Sequence, residues 1–310
     1  MKLRTLFGGA VAAAGAAVVS NRLLASRAGE LENPLPGVER SYRWRGMDVS
    51  YTAAGDPADP DLLLVHGIHA AASSYEFRPI FDALAEEFHV VAVDLPGFGR
   101  SDRPPLVYSA ELYTAFLREF AADVLEEPAV IASSLSASFA AAAASGGGFS
   151  RLVLICPTDD GGTDRPWLRT LLRSPVVGTA LFNLLASKPA VEYFLATDGY
   201  YDGDAVEASE VDYAWRSAHR PGARFAPASL LSGALDPELT LVEAIEAADV
   251  PATLVWGREA ERRPLREGRR LAEDADLDLI VVDYATLLPH AERPADVLAG
   301  LDGELAETEE

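Results

Sequence analysis

The residues best suited to chemistry begin with a serine at the junction of a β-branched run and a helical pattern, in VIASSLSAS (130–138). A nucleophile on so sharp a turn needs small residues two positions before and two after it, or side chains collide across the elbow. Ser133 fails this test, because Ile131 and Leu135 occupy those positions, whereas Ser134 has Ala132 and Ser136. Ser136 also has small neighbours but lies too far past the strand. A serine placed like Ser134 attacks a carbonyl carbon when a nearby base accepts its proton. Read without catalysis, the same serines are N-capping hydroxyls at a helix start.

A second stretch, LLLVHGIH (62–69), ends a strand in His66-Gly67. That ending lets the backbone turn and aim amide groups outward, as stabilisation of an oxyanion requires. The loop LPGFGRSD (95–102) is punctuated by glycines, yet the GxxxxGK[ST] phosphate cradle is absent. The five histidines, His66, His69, His89, His219 and His290, show no metal-ligand spacing, and Cys156 is the single cysteine. No metal, thiolate zinc, intrachain disulfide or cofactor is therefore expected.

The elements that must position these residues alternate along the chain. Strands are expected at 41–45, 48–53, 62–66, 90–94, 129–132, 152–155, 253–256 and 279–282. Helices are expected near 74–87, 109–126, 136–145, 264–274 and 294–306. This order predicts an α/β protein with an eight-stranded, mostly parallel sheet flanked by helices. Residues 157–250 break the alternation with helical pieces rich in large apolar side chains. They read as an inserted helical cap, which leaves 39–156 and 251–310 as the core. A cap following a strand's carboxyl end would cover the crevice where open sheets hold ligands, with Trp167, Phe182, Tyr193, Phe194, Tyr200, Tyr201, Tyr213, Trp215 and Phe225 as candidates to line a pocket or to form the cap's own core.

The 310 residues include 48 acidic and 26 basic ones, for a net charge of −22, and Lys2 and Lys188 are the only lysines. Such a surface repels nucleic acid and suggests adaptation to molar salt, where self-repulsion is screened. The thermal midpoint should accordingly fall as salt is diluted; a midpoint equal in molar and dilute salt would refute this. Residues 1–27 carry an uncharged run at 6–21, between signal-peptide and full-span length. It is read as a membrane anchor or uncleaved signal, of undetermined sidedness, with an alanine-rich helix packed on the domain as the other reading. Residues 28–38, with Pro34, Pro36 and Gly37, form a linker.

Taken in order, strand-HG, DLPGFGRSD, the small-x-Ser-x-small elbow, the long cap, VPATLVWG (250–257) and LPHAERP (288–294) resemble the α/β-hydrolase superfamily from about Tyr42 to the last helix. The resemblance implies that Ser134 is the nucleophile and that the amides of Ile68 and Leu135 form the oxyanion hole. It also implies an acid three residues after Gly257 and a histidine three residues before His290. Those positions hold Ala260 and Leu287. His290 could serve as a displaced base, with Asp159, Asp160, Glu259 or Glu261 supplying the acid. Against this, Pro289 favours a helix entry that turns His290 outward and leaves Leu287 in the imidazole's place. His69 and His219 are further candidates with structural roles as their plainer reading. Two functions follow. One is a serine hydrolase of esterase type acting through Ser134 on a small apolar ester; the other is a catalytically degenerate relative that binds a hydrophobic ligand or partner beneath the cap.

Overall fold

A computed structural model of the protein describes residues 2–160 and 165–306. Helix α1 (Lys2–Ala28) precedes the strands β1 (Val38–Trp44), β2 (Met47–Ala54) and β3 (Asp61–Val65). Next come α2 (Arg78–Leu84), β4 (His89–Val93), α3 (Ala110–Val124), β5 (Ala129–Ser133), α4 (Ser136–Ala144) and β6 (Arg151–Ile155). The strands form one eight-stranded sheet in the order β1-β2-β4-β3-β5-β6-β7-β8, where β7 is Ala252–Gly257 and β8 is Asp278–Val282. The pairs β1/β2 and β2/β4 are antiparallel and the others parallel.

Both faces of the central strands are covered, which explains why they read as unbroken apolar runs. On one face Leu63, Val65, Val91, Val93, Val130 and Ala132 pack with α3 and α4 residues such as Phe116, Phe120 and Phe139. On the other, Leu62, Leu64, Val90, Ala92, Ile131 and Val153 pack with Phe77, Ile80, Phe81, Val297 and Leu301. Each of the valine, leucine, isoleucine and phenylalanine side chains contributes about 1.5–3 kcal/mol through burial. Helix α3 starts where the Ser109 hydroxyl accepts the Leu112 amide (3.2 Å), a side-chain cap. Asp94, at the end of β4, fixes the glycine loop after it: its carboxylate accepts the amides of Ser74 (2.8 Å) and Arg100 (3.0 Å) and the Arg100 Nε–H (2.8 Å).

Between β6 and β7 the described residues are helical: α5 (Pro166–Arg173), α6 (Val177–Leu185), α7 (Lys188–Phe194), α8 (Ala208–Ala218), α9 (Phe225–Leu230) and α10 (Leu241–Ala248), with short turns between. After β7 come α11 (Leu265–Ala275), β8, α12 (Pro289–Glu292) and α13 (Pro294–Ala306). Leu172, Phe182 and Ala218 form a small core of the cap's own, joined by Ala71 of the β3 loop. The large apolar residues of the cap divide between interior and surface: Phe182 is buried, whereas Trp167, Tyr193 and Tyr201 are exposed.

Helix α1 meets the cap through its C-terminal part. Asn21 donates to the Val176 carbonyl (3.2 Å) and accepts from Asn183 (3.0 Å), and the Arg216 Nε–H binds the Ala28 carbonyl (3.0 Å). No helix among the described residues is long and apolar enough to cross a membrane.

Candidate active site

Ser134 sits between β5 and α4 with φ of 54°, a left-handed conformation that costs a non-glycine residue energy. The turn is held from both sides. The Ser134 amide donates to the Ile155 carbonyl (2.9 Å), and the Ser136 hydroxyl donates to the His66 carbonyl (2.6 Å). The end of β3 runs close beneath: a Cβ on Gly67 would lie 3.3 Å from Ser133 Oγ and 3.4 Å from Ser134 Cβ. Glycine at 67 thus lets the two loops approach. Beyond it the amides of Ile68 and Leu135 donate no hydrogen bond among the described residues.

Ser134 and Ile68 line a cavity of about 560 Å³ between sheet and cap. Its walls include Phe182, Leu185, Val191, Phe194, Leu195 and Leu230 from the cap, together with His69, Asp160, Arg262, Arg263 and Leu287. Leu287, at the position where the resemblance implies a histidine, stands in this cavity with Ser134.

Each of the five histidines is accounted for. His66 donates from Nδ1 to the Gly67 carbonyl (2.7 Å) and accepts the Leu95 amide at Nε2 (3.1 Å), so both nitrogens are occupied. His89 pairs with Asp61 (2.6 Å), and His219 donates from Nδ1 to the Trp215 carbonyl (2.8 Å). His69 does share the cavity with Ser134. Its Nδ1 accepts the Ala71 amide (3.3 Å), which leaves the ring proton on Nε2. Burial pushes its pKa down to about 4. A ring in that state donates a hydrogen bond and is a poor proton acceptor.

His290, which the sequence offers either as a displaced base or as a helix entry turned away from Ser134, is fully buried at the start of α12. Its Nε2 lies 3.5 Å from Glu76 Oε1 and its ring lies against Phe77 (centroids 5.1 Å apart). Pro289 begins the helix there, and the imidazole turns toward Glu76 and away from the Ser134 cavity. Asp159, one candidate acid, accepts the Leu241 amide at the start of α10 (3.1 Å). Glu259, a second of the four, accepts the Ala285 amide (3.1 Å). Neither lines the Ser134 cavity; Asp160 does, at an exposed position, and Glu261 is exposed elsewhere.

Glu76 was not apparent from the sequence as a site residue. Both of its carboxylate oxygens accept the Gly67 amide (3.2 Å each), so it fixes the peptide preceding Ile68. Burial alone would raise its carboxyl, but His290, with His66 and His69, outweighs that and holds it below the ordinary range.

A second cavity of about 460 Å³ lies where cap meets core, lined by Tyr75, Glu76, Tyr200, Glu210, Glu292 and Arg293 among others. Here burial first, then the like charges of Glu207 and Glu76, raise the Glu210 carboxyl to about 7 despite a hydrogen bond from Tyr200 (3.0 Å). Between the model-compound value of 4.5 and about 7 the folded chain binds a proton that the unfolded chain has lost. The contribution of this group to stability therefore falls as pH rises through that window. Glu210→Gln should raise the thermal midpoint at pH near 8 and leave it almost unchanged near pH 4. An equal shift at both would contradict the assignment.

The sheet order, the helical insertion after β6 and the strained serine at the β5–α4 turn together define an α/β-hydrolase. The chain belongs to the alpha/beta hydrolase family, which matches residues 62–301. An uncharacterized hydrolase of Bacillus subtilis, YugF, is 25% identical over 257 residues, covering 76% of this chain and 85% of the relative. Among solved structures, a serine hydrolase involved in carbazole degradation superposes with a TM-score of 0.71 at 18% identity, over 87% of this chain and 99% of that one. A bacterial membrane phospholipase A matches with a TM-score of 0.70 at 19% identity over 99% of both chains. These structural likenesses are likenesses of fold.

Proposed function

We propose that this chain binds a small apolar molecule beneath its cap and hydrolyses esters slowly or not at all. The observation that carries this reading is that Leu287 lines the Ser134 cavity, while His290 lies outside that cavity against Glu76 and His69, which does line it, is a poor proton acceptor. A serine hydroxyl without a base is a weak nucleophile at neutral pH. What supports a holding role is the strained elbow, the amides of Ile68 and Leu135, which donate no hydrogen bond among the described residues, and a largely apolar cavity. Such parts retain binding and a modest residual rate when the triad is absent.

A hydrolase ancestry for the site is supported by a relative whose name is that of a hydrolase. The test is steady-state hydrolysis of p-nitrophenyl butyrate by the full chain and by Ser134→Ala. The two rates should agree within about twofold, both close to the residual level left without a triad. Turnover that is efficient and lost in both Ser134→Ala and His290→Ala would return the chain to the enzymes, with a base that moves.

A further inference from the structure

Charge is unevenly spread along this chain. Its net charge is −22, yet residues 1–29 and 165–191 contain no Asp or Glu. Each of these two segments carries four basic residues, among them both lysines of the chain, Lys2 and Lys188. The segments are distant in sequence and packed together in the fold. The first supplies α1, and the second supplies α5, α6 and the start of α7. Asn21 of α1 joins them, donating to the Val176 carbonyl (3.2 Å) and accepting from Asn183 of α6 (3.0 Å).

Exposed apolar side chains gather at the same contact. Val19 and Leu23 flank Asn21 on α1, and Val177 and Leu184, about two turns apart on α6, directly follow Val176 and Asn183; all four are exposed. Trp167 on α5 is exposed as well, and α5 lies close against α6, since a Cβ on Gly178 would meet the Leu172 carbonyl oxygen at 2.2 Å. Arg22 and Arg27 are exposed on α1 among these residues. Aliphatic side chains and a tryptophan interspersed with arginines suit the headgroup region of an anionic bilayer, where hydrocarbon enters the interface and guanidinium groups meet phosphate. A second copy of the same face would bring like charges together, and nucleic acid would leave the apolar side chains in water. We infer that the face formed by α1, α5 and α6 rests on the surface of an anionic lipid bilayer. The acidic remainder of the chain does not prevent this, because charges farther from the bilayer than a screening length of about 8–10 Å contribute little. Leu185, next to Leu184, is exposed and also lines the Ser134 cavity, so the cavity reaches the surface beside this face.

Sedimentation of the full chain with vesicles in about 0.15 M salt tests this, with the fold checked by circular dichroism in the same buffer. Equimolar phosphatidylcholine and phosphatidylglycerol vesicles should bind the chain at least about tenfold more tightly than phosphatidylcholine alone. Trp167→Glu combined with Leu184→Glu should weaken that binding at least about tenfold. Leu239→Glu, at an exposed leucine outside the two segments, should leave it unchanged. Should the chain be unfolded at that salt, the same variants are compared in molar salt, where apolar contact with the vesicles should persist and the double variant should lose it. Equal binding to both kinds of vesicle in the dilute buffer, or binding to neither, would overturn the inference. Binding that the double variant retains in full would confine any lipid contact to residues 6–21 and overturn the role of the cap. A dimer in vesicle-free buffer that Leu184→Glu dissociates would overturn it in favour of self-association.

Discussion

Leu287→His combined with Ala260→Asp is expected to raise hydrolysis of p-nitrophenyl butyrate by about 10²-fold or more, the scale of a positioned general base. Leu287 and Ser134 both line the cavity, so an imidazole at 287 would face the space that the serine faces. Residue 260 is brought near by close packing of the two loops that leave β7 and β8. A Cβ on Gly257 would lie 2.0 Å from the Thr286 carbonyl oxygen, and the Glu259 amide donates to the Ala285 carbonyl (3.0 Å). A carboxylate at 260 can therefore orient a ring at 287, as the third member of a triad does. Ala260 is buried, so the double variant must first be shown to fold; the single Leu287→His should give part of the gain. Adding Ser134→Ala should remove it entirely. A folded double variant with no gain would mean that Leu287 does not stand where a base is needed.

The second large effect concerns stability. Glu76→Ala should cost about 3 kcal/mol or more, because it strands a buried group, removes the acceptor of the Gly67 amide and leaves a void. Glu76→Gln keeps an acceptor for that amide and should cost less. The Glu76 carboxyl is held below its ordinary value, so its contribution is fully present above the unfolded value, 4.5, and is lost as pH falls through the lower folded one. Denaturant midpoints of the parent and Glu76→Gln should therefore converge below about pH 4.5. A gap independent of pH would show that the charge of Glu76 plays no part.

The strands were legible because a sheet covered on both faces demands continuous β-branched and aliphatic runs, and Leu62, Leu64, Val90, Val130 and Val153 supply them. Ser134 was legible for a steric reason, since Ala132 and Ser136 are the small neighbours that a φ of 54° allows. The gaps at 260 and 287 showed as departures from a spacing. What the sequence does not display is pairing between distant segments. Glu76 lies in the mixed stretch SSYEFRP with no sign that it holds Gly67 and faces His290. Arg263 is one of many surface-like arginines until its buried Nε is seen. Composition also could not separate cap aromatics that line the cavity, such as Phe182 and Phe194, from exposed ones such as Trp167 and Tyr193. That α1 packs on the domain was one of two readings of its alanine-rich run, but its partners Val176, Asn183 and Arg216 were hidden, because each is more than a hundred residues away.

The central claim is that Ser134 stands in the nucleophile's position without a base, and reaction with a fluorophosphonate tests it most directly. In that reaction the serine oxygen bonds to phosphorus, fluoride leaves, and the hydroxyl proton must go to a nearby base. The unaltered chain should remain unlabelled, like Ser134→Ala, over the time in which the folded Leu287→His, Ala260→Asp variant is modified at Ser134. Rapid, stoichiometric labelling of Ser134 in the unaltered chain would contradict the account.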